Sequence, residues 1–176
     1  MTATRTRMAA FAASAVLAGA GITAVATAAP AGAVTAPACG NTAIAVSYVH
    51  PQGAAGHGSF VLHFRNASAH TCSLYGYPGL DALNSAGHVI AHAARTMRGY
   101  AGGAHVMAPV NITPAHYASA TVEWMNFNPT TGGTCVFSKS VATTPPNTTH
   151  TVHLPVSVSV CSLQVHPTVA GTSGNN

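Results

Sequence analysis

Histidine is the most abundant ionisable residue in this sequence. The chain has 176 residues and eleven histidines, all beyond residue 49, whereas Asp81 and Glu123 are its only acidic residues. Imidazole is the commonest metal ligand among side chains and titrates at about pH 6.5. The composition therefore raises two hypotheses, a histidine metal site and a hydrolytic site that uses a carboxylate.

The spacing of the histidines does not favour a metal site. His88 and His92 lie in a stretch with the pattern of a strand, where residues four apart share a face but are separated by about 13 Å. His50, His57 and His63 could converge only through a loop whose path the sequence does not define. We therefore expect no metal ligands and no cofactor. A histidine-based extracellular metal-binding protein is the alternative function.

Hydrolysis has few candidate residues. Asp81 and Glu123 would have to be the paired carboxylates of a glycosidase, and nothing in the sequence brings them together. The Gly-x-Ser-x-Gly motif that presents the serine of an α/β-hydrolase is absent from the sequence. We interpret Asp81 as a solvated acid at a strand edge, and we expect no catalytic residues and no enzymatic activity.

A glycine-rich segment is the best candidate for a binding loop. Residues 95–104 carry two arginines and Tyr100 among several glycines, which predicts a long exposed loop of the kind that often holds binding residues. Tyr75, Tyr77, Tyr100 and Tyr117 could form an aromatic platform for a glycan or a peptide, although such rings more often pack half-buried beside a disulfide. The sequence therefore does not identify the binding residues.

The four cysteines predict two disulfide bonds, for which three pairings are possible. We favour Cys39 with Cys72 and Cys135 with Cys161, because each pair would tie neighbouring segments of one half of the domain. Each bond would stabilise the fold by roughly 3–4 kcal/mol in the chain-entropy description. The wide spacing and the absence of a Cys-x-x-Cys motif argue against a thiolate metal site.

Residues 1–33 have the features of a secretory signal peptide. Arg5 and Arg7 give a positive start, residues 8–25 are apolar and rich in alanine, and Ala31-Gly32-Ala33 is a small-x-small cleavage pattern. We expect cleavage after Ala33, with Ala26-Thr27-Ala28 as the alternative pattern. The mature protein would then be secreted, either extracellular or associated with the cell wall.

Two kinds of membrane attachment are less favoured by the sequence. The apolar run approaches the length of a membrane span, but its alanines and glycines make it weakly hydrophobic and no second span follows. We therefore expect no transmembrane anchor after processing. A lipid on Cys39 is the other alternative, although Ala36-Pro37-Ala38 is a poor lipidation signal.

Removal of the leader also removes two of the six basic residues. The remaining chain carries Arg65, Arg95, Arg98 and Lys139 against the two acids, a net charge of +2 with neutral histidines. Nucleic-acid binding requires a clustered basic face that follows the phosphates. Four dispersed basic residues therefore predict no nucleic-acid partner.

The elements that would position these residues are short strands. Phe60, Leu62 and Phe64 alternate with less apolar residues, which is typical of a half-buried strand. Residues 116–125 alternate most clearly, and residues 51–58 form a glycine-rich loop. Seven to nine strands separated by turn residues, with no helical period after the leader, predict an all-β class and one antiparallel β-sandwich over residues 39–168. Residues 169–176 are predicted to be a disordered tail.

Several motifs of this chain resemble those of the secreted actinobacterial family called domain of unknown function 4232. The motifs are Cys39, Phe64-Arg65-Asn66-Ala67-Ser68, Thr71-Cys72-Ser73-Leu74-Tyr75-Gly76-Tyr77-Pro78-Gly79, Gly87-His88-Val89, Ala94-Arg95, and Cys161 followed by Leu163-Gln164-Val165. The resemblance covers about residues 39–170. It implies an exported or lipid-anchored envelope protein with an immunoglobulin-like β fold, and it transfers no catalytic residue.

These observations predict a secreted, non-enzymatic β-sandwich domain associated with the cell envelope. Its role would be that of an interaction or structural module with an envelope or extracellular partner. The histidine-rich loops distinguish this chain from the family that it resembles.

Overall fold

The computed structural model describes residues 36–176, so the predicted signal peptide over residues 1–33 lies outside the described residues. Within this range the chain forms strands and loops and contains no helix. Accordingly, no helix of residues 36–176 is long and apolar enough to span a membrane. The strands are β1 (Ile44–Tyr48), β2 (Gln52–Ala54), β3 (His57–Asn66), β4 (Cys72–Leu74), β5 (Gly79–Leu83), β6 (Val89–His92), β7 (Ala94–Arg95), β8 (Arg98–Gly99), β9 (Gly102–Gly103), β10 (Val110–Ile112), β11 (Tyr117–Met125), β12 (Ser140–Thr144), β13 (Val152–Leu154), β14 (Cys161–Val165) and β15 (Val169–Ala170).

Two sheets contribute most of the core. In the seven-stranded sheet the order is β1, β3, β11, β14 and β7, with β2 also paired to β3 and β15 also paired to β11. In the four-stranded sheet the order is β13, β12, β5 and β6. The strand pairs are antiparallel except for β14 with β7. The predicted all-β class, with antiparallel sheets and two disulfide bonds, is confirmed.

The pairing of β3 with β11 forms the centre of the seven-stranded sheet. It runs from Tyr117 opposite Arg65 to Met125 opposite His57 without a break in register. Because side chains alternate between the two faces of a strand, one face of β3 carries all three predicted apolar residues into the core. These residues are Phe60, Leu62 and Phe64.

The second face of β11 is also buried, although it is polar. Ser119, Thr121 and Glu123 are each 1% exposed or less. The 98–103 segment and the C-terminal residues 171–176 cover this face, and we call the two segments together the roof. Buried polar groups must find hydrogen-bond partners, so the roof has to supply them.

The C-terminal part of the roof is bound through backbone groups. The Gly174 amide donates to Ser119 Oγ (2.9 Å), and Thr121 Oγ1 donates to the Gly174 carbonyl (3.0 Å). Upstream, residues 169 and 170 form β15 against β11. The sequence predicted a disordered tail over residues 169–176, whereas the structure shows these residues bound to the sheet, because hydroxyl groups on β11 satisfy the tail backbone.

Two segments that were expected to be loops contain strands. Within residues 51–58, β2 and β3 form a hairpin whose turn residues Ala55 and Gly56 both have positive φ. Within residues 95–104, β8 pairs with β9, and Gly102 and Gly103 are buried. The second segment is therefore packed against the sheet rather than exposed along its whole length.

Both predicted disulfide bonds are present. Cys39 and Cys72 have a Cα–Cα distance of 4.9 Å, and Cys135 and Cys161 have one of 5.9 Å. The first bond joins the segment before β1 to β4, where the Cys39 amide also donates to the Ser73 carbonyl (3.0 Å). The second joins the long loop after β11 to the start of β14. The predicted pairing is therefore confirmed.

The contact between Gly58 and Trp124 gives a test of the central strand pair. Trp124 lies opposite Gly58, and a Cβ atom at Gly58 would collide with the indole ring. We expect Gly58→Ala to lower the free energy of unfolding by about 1–3 kcal/mol, because the buried ring would have to move. Urea unfolding with intact disulfides, followed by tryptophan fluorescence, measures this loss.

Gly40→Ala is the matched control for this substitution. A Cβ atom at Gly40 would have no neighbour within 4 Å. Its effect should therefore stay within about 0.5 kcal/mol. Equal losses in the two variants would contradict the steric explanation.

Candidate functional site

The two carboxylates of the described residues each lie beside a histidine. Asp81 Oδ1 is 2.6 Å from His92 Nδ1 across β5 and β6, and both side chains are exposed. Glu123 Oε2 is 3.5 Å from His166 Nε2, and both side chains are buried. Asp81 belongs to the four-stranded sheet and Glu123 to the seven-stranded sheet, so they do not face each other as paired carboxylates.

The orientation of the buried His166 ring follows from its hydrogen bonds. His166 Nδ1 is 2.9 Å from the Thr96 carbonyl oxygen, and because a carbonyl oxygen only accepts, Nδ1 donates. Nε2 therefore faces Glu123. The distance of 3.5 Å is longer than an ordinary N–H···O hydrogen bond, so we treat this contact as mainly electrostatic.

Glu123 is held in its ionised form by the groups around it. Burial favours the neutral acid, but the contact with His166 and hydrogen bonding to the Ala101 and Tyr100 backbone outweigh that effect. The pKa of Glu123 therefore lies below its ordinary value of 4.5. The Ala101 amide donates to Oε2 at 2.8 Å. Gly99 lies directly over the carboxylate, where a Cβ atom would collide with Oε1.

A cleft lies beside Glu123, between the β2–β3 hairpin and the 98–103 segment. Its volume is about 420 Å³. Gln52 pairs with Ser59 and Ala54 pairs with His57, so these four side chains lie on the same face of the hairpin. Tyr100 and Ala101 form the opposite wall. The residues that define the cleft are Gln52, Gly53, Ala54, Ala55, His57, Ser59, Tyr100 and Ala101.

Tyr100 forms the cleft wall opposite the hairpin. Its side chain donates a hydrogen bond to the Gly58 carbonyl, and its ring centroid is 4.2 Å from that of His57. Partial burial and the charge of Glu123 raise the pKa of Tyr100 above its ordinary value of 10.0, although hydrogen bonding with Ser59 and Trp124 opposes the rise. The phenol therefore stays protonated and acts as a donor at neutral pH.

Histidines contribute to the cleft without forming a metal site. The buried Nδ1 atom of His57 has no hydrogen-bond partner among the described residues. His50 lines an adjoining depression of about 210 Å³, which also includes Gln52 and Ser59. His63 instead donates to the Thr172 carbonyl in the roof (2.9 Å). Within residues 36–176, no three His, Cys, Asp or Glu side chains are grouped so that they could hold a metal ion.

The sequence located part of this site. The sequence predicts residues 95–104 as a binding loop, and Tyr100 of this segment lines the cleft. The three other tyrosines considered as a platform do not line it. His166 was not identified, because its contacts with Thr96 and Glu123 join segments that are far apart in the chain and leave no local pattern.

The fold and its site place the chain in the class of disulfide-bonded, all-β domains. The family whose model matches residues 39–172 is described as Domain of unknown function (DUF4232), and the chain belongs to this family. The predicted resemblance to domain of unknown function 4232 is therefore confirmed. No curated protein matches the chain, and no solved structure matches it.

The buried pair of Glu123 and His166 leads to a test with the exposed pair as its control. Glu123→Gln should lower the free energy of unfolding by about 1–3 kcal/mol near neutral pH, because it removes the charge from a buried group with fixed partners. Asp81→Asn should cost about 0–1 kcal/mol, since its pair with His92 is exposed. Urea unfolding of both variants and the wild type measures the two losses.

The pH dependence of this difference has a defined direction. The pKa of Glu123 is lower in the folded protein than its ordinary value of 4.5, so its stabilising effect is complete above pH 4.5. The effect is lost as the pH falls through the folded-state pKa. The difference between wild type and Glu123→Gln should therefore shrink as the pH falls below 4.5. A difference that stays constant over this range would contradict the assignment.

Proposed function

We propose that the chain is an exported, non-enzymatic binding module of an actinobacterial cell envelope and that it binds its partner in the cleft beside Tyr100. The observation that carries this proposal is the cleft itself, with a volume of about 420 Å³. Ligand sites commonly have volumes of about 300–1,000 Å³. The cleft walls belong to a strand hairpin and to a segment packed on the sheet, so the site is largely preformed.

The positions of the carboxylates support binding without turnover. A hydrolytic acid or base must come within hydrogen-bond distance of the substrate. Glu123 is 1% exposed and accepts a hydrogen bond from the Ala101 amide, which separates it from the cleft. Asp81 lies in the other sheet. The preformed cleft therefore has no acidic side chain on its surface.

The disulfide bonds and the leader support export. Disulfides form and persist in oxidising compartments, and this domain contains two. The leader over residues 1–33 has the charged start, apolar run and small-residue pattern of a signal peptide. The resemblance to a secreted actinobacterial family supports an envelope location.

Export can be tested by the mass of the mature protein. We expect the full chain, expressed in an actinobacterial host, to enter the culture supernatant with Val34 as its first residue. Reduction should add the mass of two hydrogens for each of the two disulfide bonds. Intact-mass spectrometry before and after reduction measures both. A first residue of Ala29 would contradict only the cleavage site, whereas retention of the leader or a lipid on Cys39 would contradict the proposed secreted form.

Binding to the envelope can be tested by sedimentation with isolated actinobacterial cell walls. Ala54→Trp would fill the cleft without removing a hydrogen-bonding side chain, because Ala54 is an exposed residue of its wall. We expect this variant to lower the fraction that sediments by about fivefold. Ala45→Trp, at an exposed position of β1 outside the cleft, is the matched control. Equal sedimentation of both variants and the wild type would contradict a binding role for the cleft.

A further inference from the structure

We propose that the cleft beside Tyr100 recognises an uncharged, hydroxyl-rich ligand, namely a short neutral segment of a glycan. This inference rests on the proposed function, because it names the ligand class of the same site. It depends on three properties of the cleft: its lack of accessible charge, its mixture of donors and acceptors, and its aromatic wall.

The first property is the lack of accessible charge in the cleft. Its defining residues include no Asp, Glu, Lys or Arg. The nearest carboxylate, Glu123, is buried against His166 and the Ala101 amide. Arg98 is turned toward the tail, where Nη1 donates to the Asn176 carbonyl oxygen (3.2 Å). A phosphate, a carboxylate or an ammonium ligand would therefore find no accessible opposite charge.

The second property is the mixture of hydrogen-bonding groups. Gln52 and Ser59 each contribute both donor and acceptor capacity. The Tyr100 hydroxyl uses its proton for the Gly58 carbonyl, so its oxygen can accept from a ligand. Hydroxyl groups both donate and accept, so they match this set better than groups that can only donate or only accept.

The third property is the aromatic wall. Tyr100 is 53% exposed and packs beside the His57 ring at a centroid distance of 4.2 Å. A half-exposed ring with a polar tip offers an apolar face and a hydrogen-bonding group together. A sugar ring has the complementary form, with C–H groups on its faces and hydroxyls around its rim. The wall therefore suits a pyranose better than a wholly apolar ligand.

A peptide is the competing ligand, because β2 is an edge strand. Among the described residues β2 pairs only with β3, so its other edge could accept an added strand. However, β2 has only three residues, and the turn at Ala55 and Gly56 ends it. A ladder of this length offers few backbone hydrogen bonds. The cleft residues therefore favour a glycan over an extended peptide.

The inference can be tested by NMR titration of the mature protein at neutral pH. The probes are two neutral oligosaccharides, a tetramer of N-acetylglucosamine and maltotetraose, compared with anionic tetragalacturonate and an N-acetylated, C-amidated tetraalanine peptide. We expect at least one neutral oligosaccharide to shift the backbone amide signals of Gln52, His57, Ser59 and Tyr100 in a saturable way. Neither the anionic oligomer nor the peptide should do so at equal concentration.

Two variants and a control locate the binding. Tyr100→Ala should weaken the affinity for the neutral oligosaccharide about fivefold, because it removes the aromatic wall. Ala54→Trp should abolish the shifts by filling the cleft, without the loss of the Tyr100 hydrogen bond. Tyr75→Ala is the control, since Tyr75 is 45% exposed and lies outside the cleft. Its affinity should equal that of the wild type.

Each negative result has a distinct meaning. Preferential binding of the peptide or of tetragalacturonate would overturn the ligand class. The ligand class would also be overturned if neither neutral oligosaccharide causes saturable shifts up to about 10 mM. If Ala54→Trp nevertheless reduces sedimentation with cell walls, the proposed function stands and only the glycan assignment fails. If both assays are negative, both proposals fail.

Discussion

The continuous antiparallel pairing of β3 with β11 is the interaction on which the rest of the structure depends. All nine residues of β11 have a partner on β3. Four other strands of the large sheet, β1, β2, β14 and β15, attach to the outer edges of this pair, and β7 attaches to β14. The apolar face of the pair forms much of the core. Gly58 is needed in this arrangement because the indole of Trp124 occupies the space where a side chain would lie.

Burial of the second, polar face of β11 explains the path of two distant segments. Ser119 and Thr121 need hydrogen-bond partners, and the backbone at Gly174 supplies them. Glu123 needs donors, and the Ala101 amide supplies one. The roof is therefore held mainly by polar contacts rather than by apolar packing. The cleft forms where the roof ends, beside the β2–β3 hairpin.

The same arrangement decides what kind of recognition the cleft can support. The buried carboxylate lies against His166 and accepts a hydrogen bond from the Ala101 amide, and the arginine of the roof is directed to the tail. The Glu123 carboxylate and the Arg98 guanidinium therefore bind groups of the roof and are not available to a ligand in the cleft. The surface that remains offers hydrogen bonds and aromatic faces, which is why we favour a neutral, hydroxyl-rich partner over an ionic one.

The sequence by itself determined the features that have a local pattern. The alternation in residues 60–64 and 116–125 predicted strands because side-chain direction repeats every two residues. The positions of the four cysteines favoured the pairing that the structure shows, because each pair ties neighbouring segments of one half of the domain. Only the tertiary structure decided the pair of Glu123 with His166, the binding of the tail and the position of the cleft. These features depend on contacts between residues far apart in the chain, and a hydroxyl that hydrogen-bonds to a distant backbone group produces no periodic signal in the sequence.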